Sequence, residues 1–302
     1  MKKEHPGVPG GGALRAKEAM EWIMKTVFLV CGFIAIAFVL LITVYLIISG
    51  LPAIREVGLT DFLFGTRWAS TDKTDPAYGI LPFILTSIYG TAGAILIGVP
   101  IGFLTAVFLS KVAPPKVAAV IRPAVDLLAG IPSVVYGLVG MIILVPAIRT
   151  AFGLADGACL LAAIVVLAIM ILPSIISVSE TALNAVPKEY EEASLALGAA
   201  EIETYCRVSV PAAKSGIAAS IVLGIGRAIG EAMAVMMVAG NVANMPSLFQ
   251  SVRFLTTAVA SEMSYSSGLQ RQALFSIALV LFLFIMLINV TLNALLKRNK
   301  EK

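Results

Sequence analysis

Long apolar runs alternate with short polar stretches along this chain. Six runs, at roughly 22–49, 82–109, 124–148, 158–178, 213–239 and 272–296, meet the need of a membrane-spanning helix for about 20 mainly apolar residues. They are too long and too continuous for membrane β-strands, which alternate over about 10 residues. The pattern predicts an all-α integral membrane protein with six transmembrane helices in one bundle.

Composition agrees. The 302 residues are 59% hydrophobic and 13% charged, against about 25% charged in an ordinary soluble domain. The first run is too long for the 7–15-residue core of a cleaved signal. Ala35-Ile36-Ala37 resembles a cleavage site, but the apolar stretch continues beyond it, so the run reads as an uncleaved anchor.

Lysine and arginine set the expected orientation. Fifteen of the 22 fall in residues 1–25, 111–123, 179–214 and 297–302, six fall in the opposite set of loops, and Arg227 lies inside a run. Both termini are therefore expected in the cytoplasm. The net charge of +4 follows from these flanks and does not argue for nucleic acid. Cys31, Cys159 and Cys206 lack paired spacing, and His5 is the sole histidine, so neither a zinc site nor a disulfide framework is expected.

The expected organisation is a cytoplasmic tail (1–20), a first transmembrane anchor helix (21–49) and an extracytoplasmic loop (50–81). A transmembrane core over 82–297 and a short tail at 298–302 follow. In the 50–81 loop, Phe62, Phe64 and Trp68 are candidate interfacial anchors. Asp126 is expected as an interfacial cap near the start of the third span.

The polar stretch between the fourth and fifth spans is patterned. From Lys188 to Arg207 it reads as helix, with Pro187 at its start, where a missing N–H costs little. Ala193, Leu195, Ala196, Leu197, Ala199 and Ala200 give it an apolar face, Gly198 interrupts it, and Pro211 closes it. Within it, Glu192-Ala193-Ser194, three residues, Gly198, nine residues and Val208-Ser209-Val210-Pro211 resemble the cytoplasmic signature E-A-A-x3-G-x9-I-x-L-P of ATP-binding-cassette (ABC) importer permeases. Spacing matches throughout; Ser194, Val208 and Val210 depart from the pattern. Three further stretches, "LLAGIPSVVYGLVG" (127–140), "GRAIGEAMAVMMVAGN" (226–241) and "RFLTTAVASEM" (253–263), resemble the phosphate-importer permease, and its PstC-type subunit more than its PstA-type partner. Ala232 stands where that family usually has Thr. The resemblance covers about residues 50–297.

Arg227 and Glu231 are two full charges in an apolar run. Arg227 lies about 24 Å beyond Pro211 along a continuous helix, and positions i and i+4 share one helix face. Both side chains are thus expected in one cavity, because charge at membrane depth faces the bundle interior. Gly224, Gly226 and Gly230 beside them allow close helix approach. One reading is an Arg–Glu ion pair that fixes packing. The other is a transient anion site, since guanidinium presents a planar fork of donors matched to phosphate oxygens, with Glu231 holding Arg227 when no anion is present. Ser133 and Tyr136, in "IPSVVYG", fit ordinary packing and pathway lining equally.

The resemblance implies a type I ABC importer permease fold in a bacterial cytoplasmic (inner) membrane and transport of inorganic phosphate, with Arg227, Glu231, Ser133 and Tyr136 along the substrate pathway. It implies a cytoplasmic coupling helix at 187–211, in which Glu192, Ala193, Ser194, Gly198 and Pro211 meet the ATPase. Its partners would be a PstA-type second permease in a heterodimer, two ATPase subunits and an extracytoplasmic phosphate-binding protein. The sequence has no G-x4-G-K-[ST] loop for nucleotide phosphates. ATP would therefore be bound by the partner, with no cofactor on this chain and no enzymatic reaction of its own. Two other readings stand beside this one: an ABC permease for another oxyanion, such as sulfate or molybdate, and an ion-coupled secondary transporter.

Overall fold

A computed structural model describes residues 11–72 and 74–298. Residues 1–10, 299–302 and Lys73 lie outside it, so His5, the first half of the first predicted tail and most of the last fall outside the described residues. The chain divides into two units, one up to Ser49 and one from Gly50 onward.

The first unit is helical. Helix α1 spans Gly11–Val57, beginning in the predicted tail and passing Pro52 into the second unit. The segment from 50 is therefore not all loop. After α1 come α2 (Leu59–Phe64) and a small hairpin of β1 (Trp68–Ala69) and β2 (Ala77–Tyr78), with Trp68 opposite Tyr78. Of the three expected anchors, Phe64 is exposed. Phe62 is fully buried, and Trp68 packs on Tyr78 and Phe83 at centroid distances of 5.8 and 5.5 Å. These two rings fill a core with Ile80, Leu255, Leu274 and Ile277. Being aromatic does not by itself settle which of the three rings is exposed.

The second unit continues with α3 (Leu81–Val107), which ends in a π turn over Phe108–Val112, and α4 (Pro115–Gly130). Then come α5 (Ser133–Val139), a π turn (Gly140–Leu144), α6 (Val145–Phe152) and α7 (Leu160–Asn184). Short helices α8 (Lys188–Ala196) and α9 (Glu201–Thr204) lead through a π turn (Tyr205–Ser209) and α10 (Val210–Ala212) into α11 (Lys214–Gly230). Helices α12 (Met233–Val238), α13 (Leu255–Glu262) and α14 (Gly268–Arg298) complete it.

Among the described residues, five stretches are long and apolar enough to cross a membrane: Ala19–Val57, Leu81–Val112, Ser133–Phe152, Leu160–Asn184 and Gly268–Thr291. The pair Glu201–Ala212 and Lys214–Gly230, bent by 71°, makes a sixth when counted as one span. Two expected runs are corrected. The run 124–148 is broken at Ile131, whose ψ of 127° leaves the helix, because Pro132 disfavours helical backbone in the residue before it. The third span therefore starts at Ser133, and Asp126 is an exposed residue near the end of α4 rather than a cap. The run 213–239 is broken at Glu231, also extended with ψ 126°. Both breaks lie inside apolar sequence, where hydropathy does not register them.

Helix α7 is the axis of the second unit. Its Leu167, Met170, Ile171 and Ile175 are essentially fully buried. A Cβ at Gly98 or Gly102 of α3 would come within 2.7 Å of Ile171 or 2.9 Å of Ile175, so both positions need glycine for α3 to lie this close. Lipid tails are as apolar as leucine, so such contact stabilises by close packing rather than by escape from water. Between α7 and α11, Ser179 hydrogen bonds Ser220 at 2.7 Å in a buried contact. Such interhelical bonds are worth about 0.6–2 kcal/mol in a membrane.

Candidate functional site

Three groups of polar side chains stand out among the described residues. The first surrounds Arg227, half-buried on the last turn of α11. Its Nη1 donates to Ser174 Oγ on α7 at 3.3 Å. A cavity of about 600 Å³ opens beside this contact, lined by Ser174, Ala219, Val222, Leu223, Gly226, Arg227 and Asn289. It has an apolar wall with three polar groups, and its charged group is a cation.

Glu231 does not share this face. Helix α11 ends at Gly230, and the extended backbone at Glu231 turns the carboxylate away along the chain. Glu231 Oε1 accepts the backbone N–H of Ala234 at 2.9 Å, at the start of α12, and Thr256 Oγ1 donates to the Glu231 carbonyl at 2.8 Å. The i,i+4 argument fails because it assumes a continuous helix. A carboxylate that finds amide donors at a break satisfies the orphan N–H groups of the next helix start instead. Glu231 shapes the break, while Arg227 is held from α7.

The second break completes the surroundings. Ser133 is the first residue of α5, half-buried. Tyr136 Oη donates to the Leu128 carbonyl at 2.7 Å, tying α5 back to α4 across Ile131 and Pro132. A Cβ at Gly137 would stand 2.8 Å from Ala234 Cα, so α5 and α12 pack almost backbone to backbone. Arg227, Tyr136 and the two helix breaks thus occupy one region, to which the structure adds Ser174 and Asn289. Neither was picked from the sequence. Ser174 follows a proline inside a span, and Asn289 is an amide within the last apolar run; those are the signals the sequence offers.

The second group lies on the segment 187–211. Glu192 and Ala193 are exposed on α8, and no α8 residue is buried. Leu197 and Ile202 are 90% and 72% exposed. Gly198 has φ of +87° with no neighbour around the Cβ position, so the sharp turn from α8 to α9 needs glycine for its backbone conformation. Ser194 Oγ and Thr204 Oγ1, 2.9 Å apart, close that turn. Pro211 lies exposed in α10. Glu191 Oε1 accepts from Ser209 Oγ at 2.7 Å and pairs with Lys111 Nζ at 2.5 Å. Burial pushes its carboxyl up, but the Lys111 and Ser209 contacts and the charges of Lys111 and Lys188 outweigh this and hold it below the usual range.

The third group sits at the other end of α7, where Cys159, Leu160 and Leu161 bond the 238–250 backbone. Arg253 pairs with Glu262 Oε1, donates to the Asn241 carbonyl at 2.9 Å, and lies 5.8 Å from the Phe83 ring centroid. Glu262 Oε2 takes Trp68 Nε1 at 3.4 Å and Gln270 Nε2 at 3.2 Å. These groups fasten the hairpin to α13 and α14. Among the described residues no three His, Cys, Asp or Glu side chains gather as metal ligands, and Cys31, Cys159 and Cys206 are free thiols.

A family of binding-protein-dependent transport system inner membrane components matches residues 98–301. A probable ABC transporter permease protein, YqgH, of Bacillus subtilis is 41% identical over 267 residues, 85% of this chain and 86% of that protein. A phosphate transport system permease protein, PstC, of Haemophilus influenzae is 36% identical, over 83% of this chain and 85% of the other. Among solved structures, a bacterial alginate ABC transporter with its pentasaccharide-bound periplasmic protein matches with TM-score 0.64 at 14% identity, over 94% of this chain and 96% of that one. That last likeness speaks to the fold, which is that of type I ABC importer permeases.

Proposed function

The chain belongs to the family of binding-protein-dependent transport system inner membrane components, and on that premise we propose that it is the permease subunit of an ATP-driven inorganic phosphate importer in a bacterial inner membrane. As a permease subunit it spans the membrane, and ATP hydrolysis falls to a separate ATPase subunit. The observation that carries the substrate reading is Arg227. Its guanidinium lines a cavity otherwise mostly apolar, where an uncompensated charge is expensive and marks a pathway. Guanidinium stays charged at any relevant pH and matches phosphate oxygens with a planar fork. Relatives named as phosphate permeases support the same choice of anion.

In this reading Arg227 with Ser174 receives the passing oxyanion, and Ser133 and Tyr136 line the way beside the break at Pro132. Glu231 serves by holding the second break. Exposed Glu192, Ala193, Leu197 and Ile202, with Ser194, Gly198 and Pro211 shaping the turn, meet the ATPase on the cytoplasmic side. A PstA-type second permease, two ATPase subunits and an extracytoplasmic phosphate-binding protein complete the importer.

The test is uptake of labelled phosphate by the assembled importer in proteoliposomes, with excess sulfate and molybdate as competitors. ATP-dependent phosphate uptake that neither competitor reduces is expected. Uptake of sulfate or molybdate in its place would transfer the reading to another oxyanion. Uptake driven by an ion gradient without the ATPase would overturn it.

A further inference from the structure

We infer that Glu191 is the joint through which movement of the α8–α9 segment is passed to the spans. Helix α8 buries none of its residues, so apolar wedging cannot transmit its displacement. Its attachment runs through polar contacts, and one carboxylate oxygen carries two of them. Lys111 Nζ reaches Glu191 Oε1 from the end of the second span, and Ser209 Oγ reaches the same atom from the entry to α10 and α11.

Both partners lie in π turns, Phe108–Val112 and Tyr205–Ser209. Single π turns are frequent at functional sites; the first closes α3 and the second joins α9 to α10. The side chains of Lys111 and Glu191 are 11% and 18% exposed, so their attraction is less screened than that of a surface pair. Removing one partner leaves the other charge largely desolvated and unpaired.

From Lys111 the contact leads into α3, whose Gly98 and Gly102 lie against Ile171 and Ile175 of α7. Ser174 of α7 then meets Arg227. A displacement of α8 thereby reaches the cation-lined cavity through packed helices. Glu191 is a positioning residue and touches no substrate. The sequence pattern draws attention to its neighbour Glu192, which is exposed and free to face a partner, whereas Glu191 faces the bundle.

The inference rests on the reading of this segment as the contact with the ATPase. The experiment uses the permease assembled with its partner subunits in proteoliposomes, with inorganic phosphate as probe. ATP hydrolysis and phosphate uptake are measured on the same vesicles. Glu191→Ala and Lys111→Met are expected to retain ATP hydrolysis while uptake per ATP falls roughly tenfold, within the usual range of coupling between sites. The exchange Lys111→Glu with Glu191→Lys is expected to recover part of that loss in uptake per ATP, a ratio that a role confined to assembly would leave unchanged in every variant that assembles. Ser209→Ala keeps the ion pair and serves if the buried substitutions disturb assembly; a smaller loss of the same kind is expected. An unchanged ratio of uptake to hydrolysis in Ser209→Ala and in the charge variants that assemble would overturn the joint. A wild-type chain that fails to bind the ATPase would instead overturn the reading beneath it.

Discussion

Arg227 on α11 donates to Ser174 on α7 at 3.3 Å, and this contact joins the cation on the last turn of α11 to the central helix of the fold. The bond is long for a charged donor. Ser174→Ala is expected to leave assembly intact and to raise KM for phosphate a few-fold, because hydrogen bonds to charged groups contribute about 1.5–3 kcal/mol when well formed and this one is stretched. Uptake measured across phosphate concentrations reads the effect directly.

Glu231 gives a prediction opposite to that of an ion pair. Its carboxylate accepts the Ala234 N–H, so Glu231→Ala removes the acceptor at the start of α12 and should cost about 1 kcal/mol of stability. Glu231→Gln keeps an acceptor oxygen and should lower the thermal midpoint less. Thermal unfolding of the two variants in detergent gives the order. Equal losses would show that the charge, not the hydrogen bond, is what matters there.

Gly198 is held at φ +87°. A β-branched residue at such a backbone position costs on the order of 1–3 kcal/mol. Gly198→Val is expected to reshape the turn between α8 and α9, leaving the spans in place, and to lower uptake per ATP hydrolysed. Both rates are measured on one vesicle preparation, and normal coupling would remove the turn from the account.

The Glu191 carboxyl is held below its ordinary value of 4.5. A depressed value in the folded protein stabilises above the ordinary value, and that contribution is lost as pH falls through the folded one. Lys111 and Lys188 supply the opposing charge. Thermal stability of the wild type relative to Glu191→Gln should therefore be constant between about pH 5 and 8 and should shrink only below 4.5. A crossing near neutral pH would contradict the pairing.

The spans and the family were legible because both are carried by local pattern: long apolar runs, and a spaced signature around Gly198. The positive φ at Gly198 is what a glycine at a sharp turn suggests, and the structure has it. What hydropathy did not reveal were the two breaks. Pro132 marked one for any reader weighing its effect on Ile131. The break at Glu231 arises from a carboxylate bonding the amide three residues on, which competes with helix continuation and leaves the apolar average unchanged. Phe62 is buried and Trp68 half-buried for a related reason: aromatic rings suit a membrane interface and a packed core alike, and the hairpin that holds Trp68 against Tyr78 is only two residues per strand. Ser174, Asn289 and the Lys111–Glu191 pair depend on contacts between distant segments, which no single-chain pattern encodes.

The central claim is that a guanidinium among apolar helices is there to meet an oxyanion, and Arg227→Gln tests it most directly. The glutamine retains hydrogen-bonding capacity and removes the charge. With the variant assembled with its partner subunits at the wild-type level, ATP-driven uptake of labelled phosphate is expected to fall to background. Uptake at the wild-type rate would contradict the account.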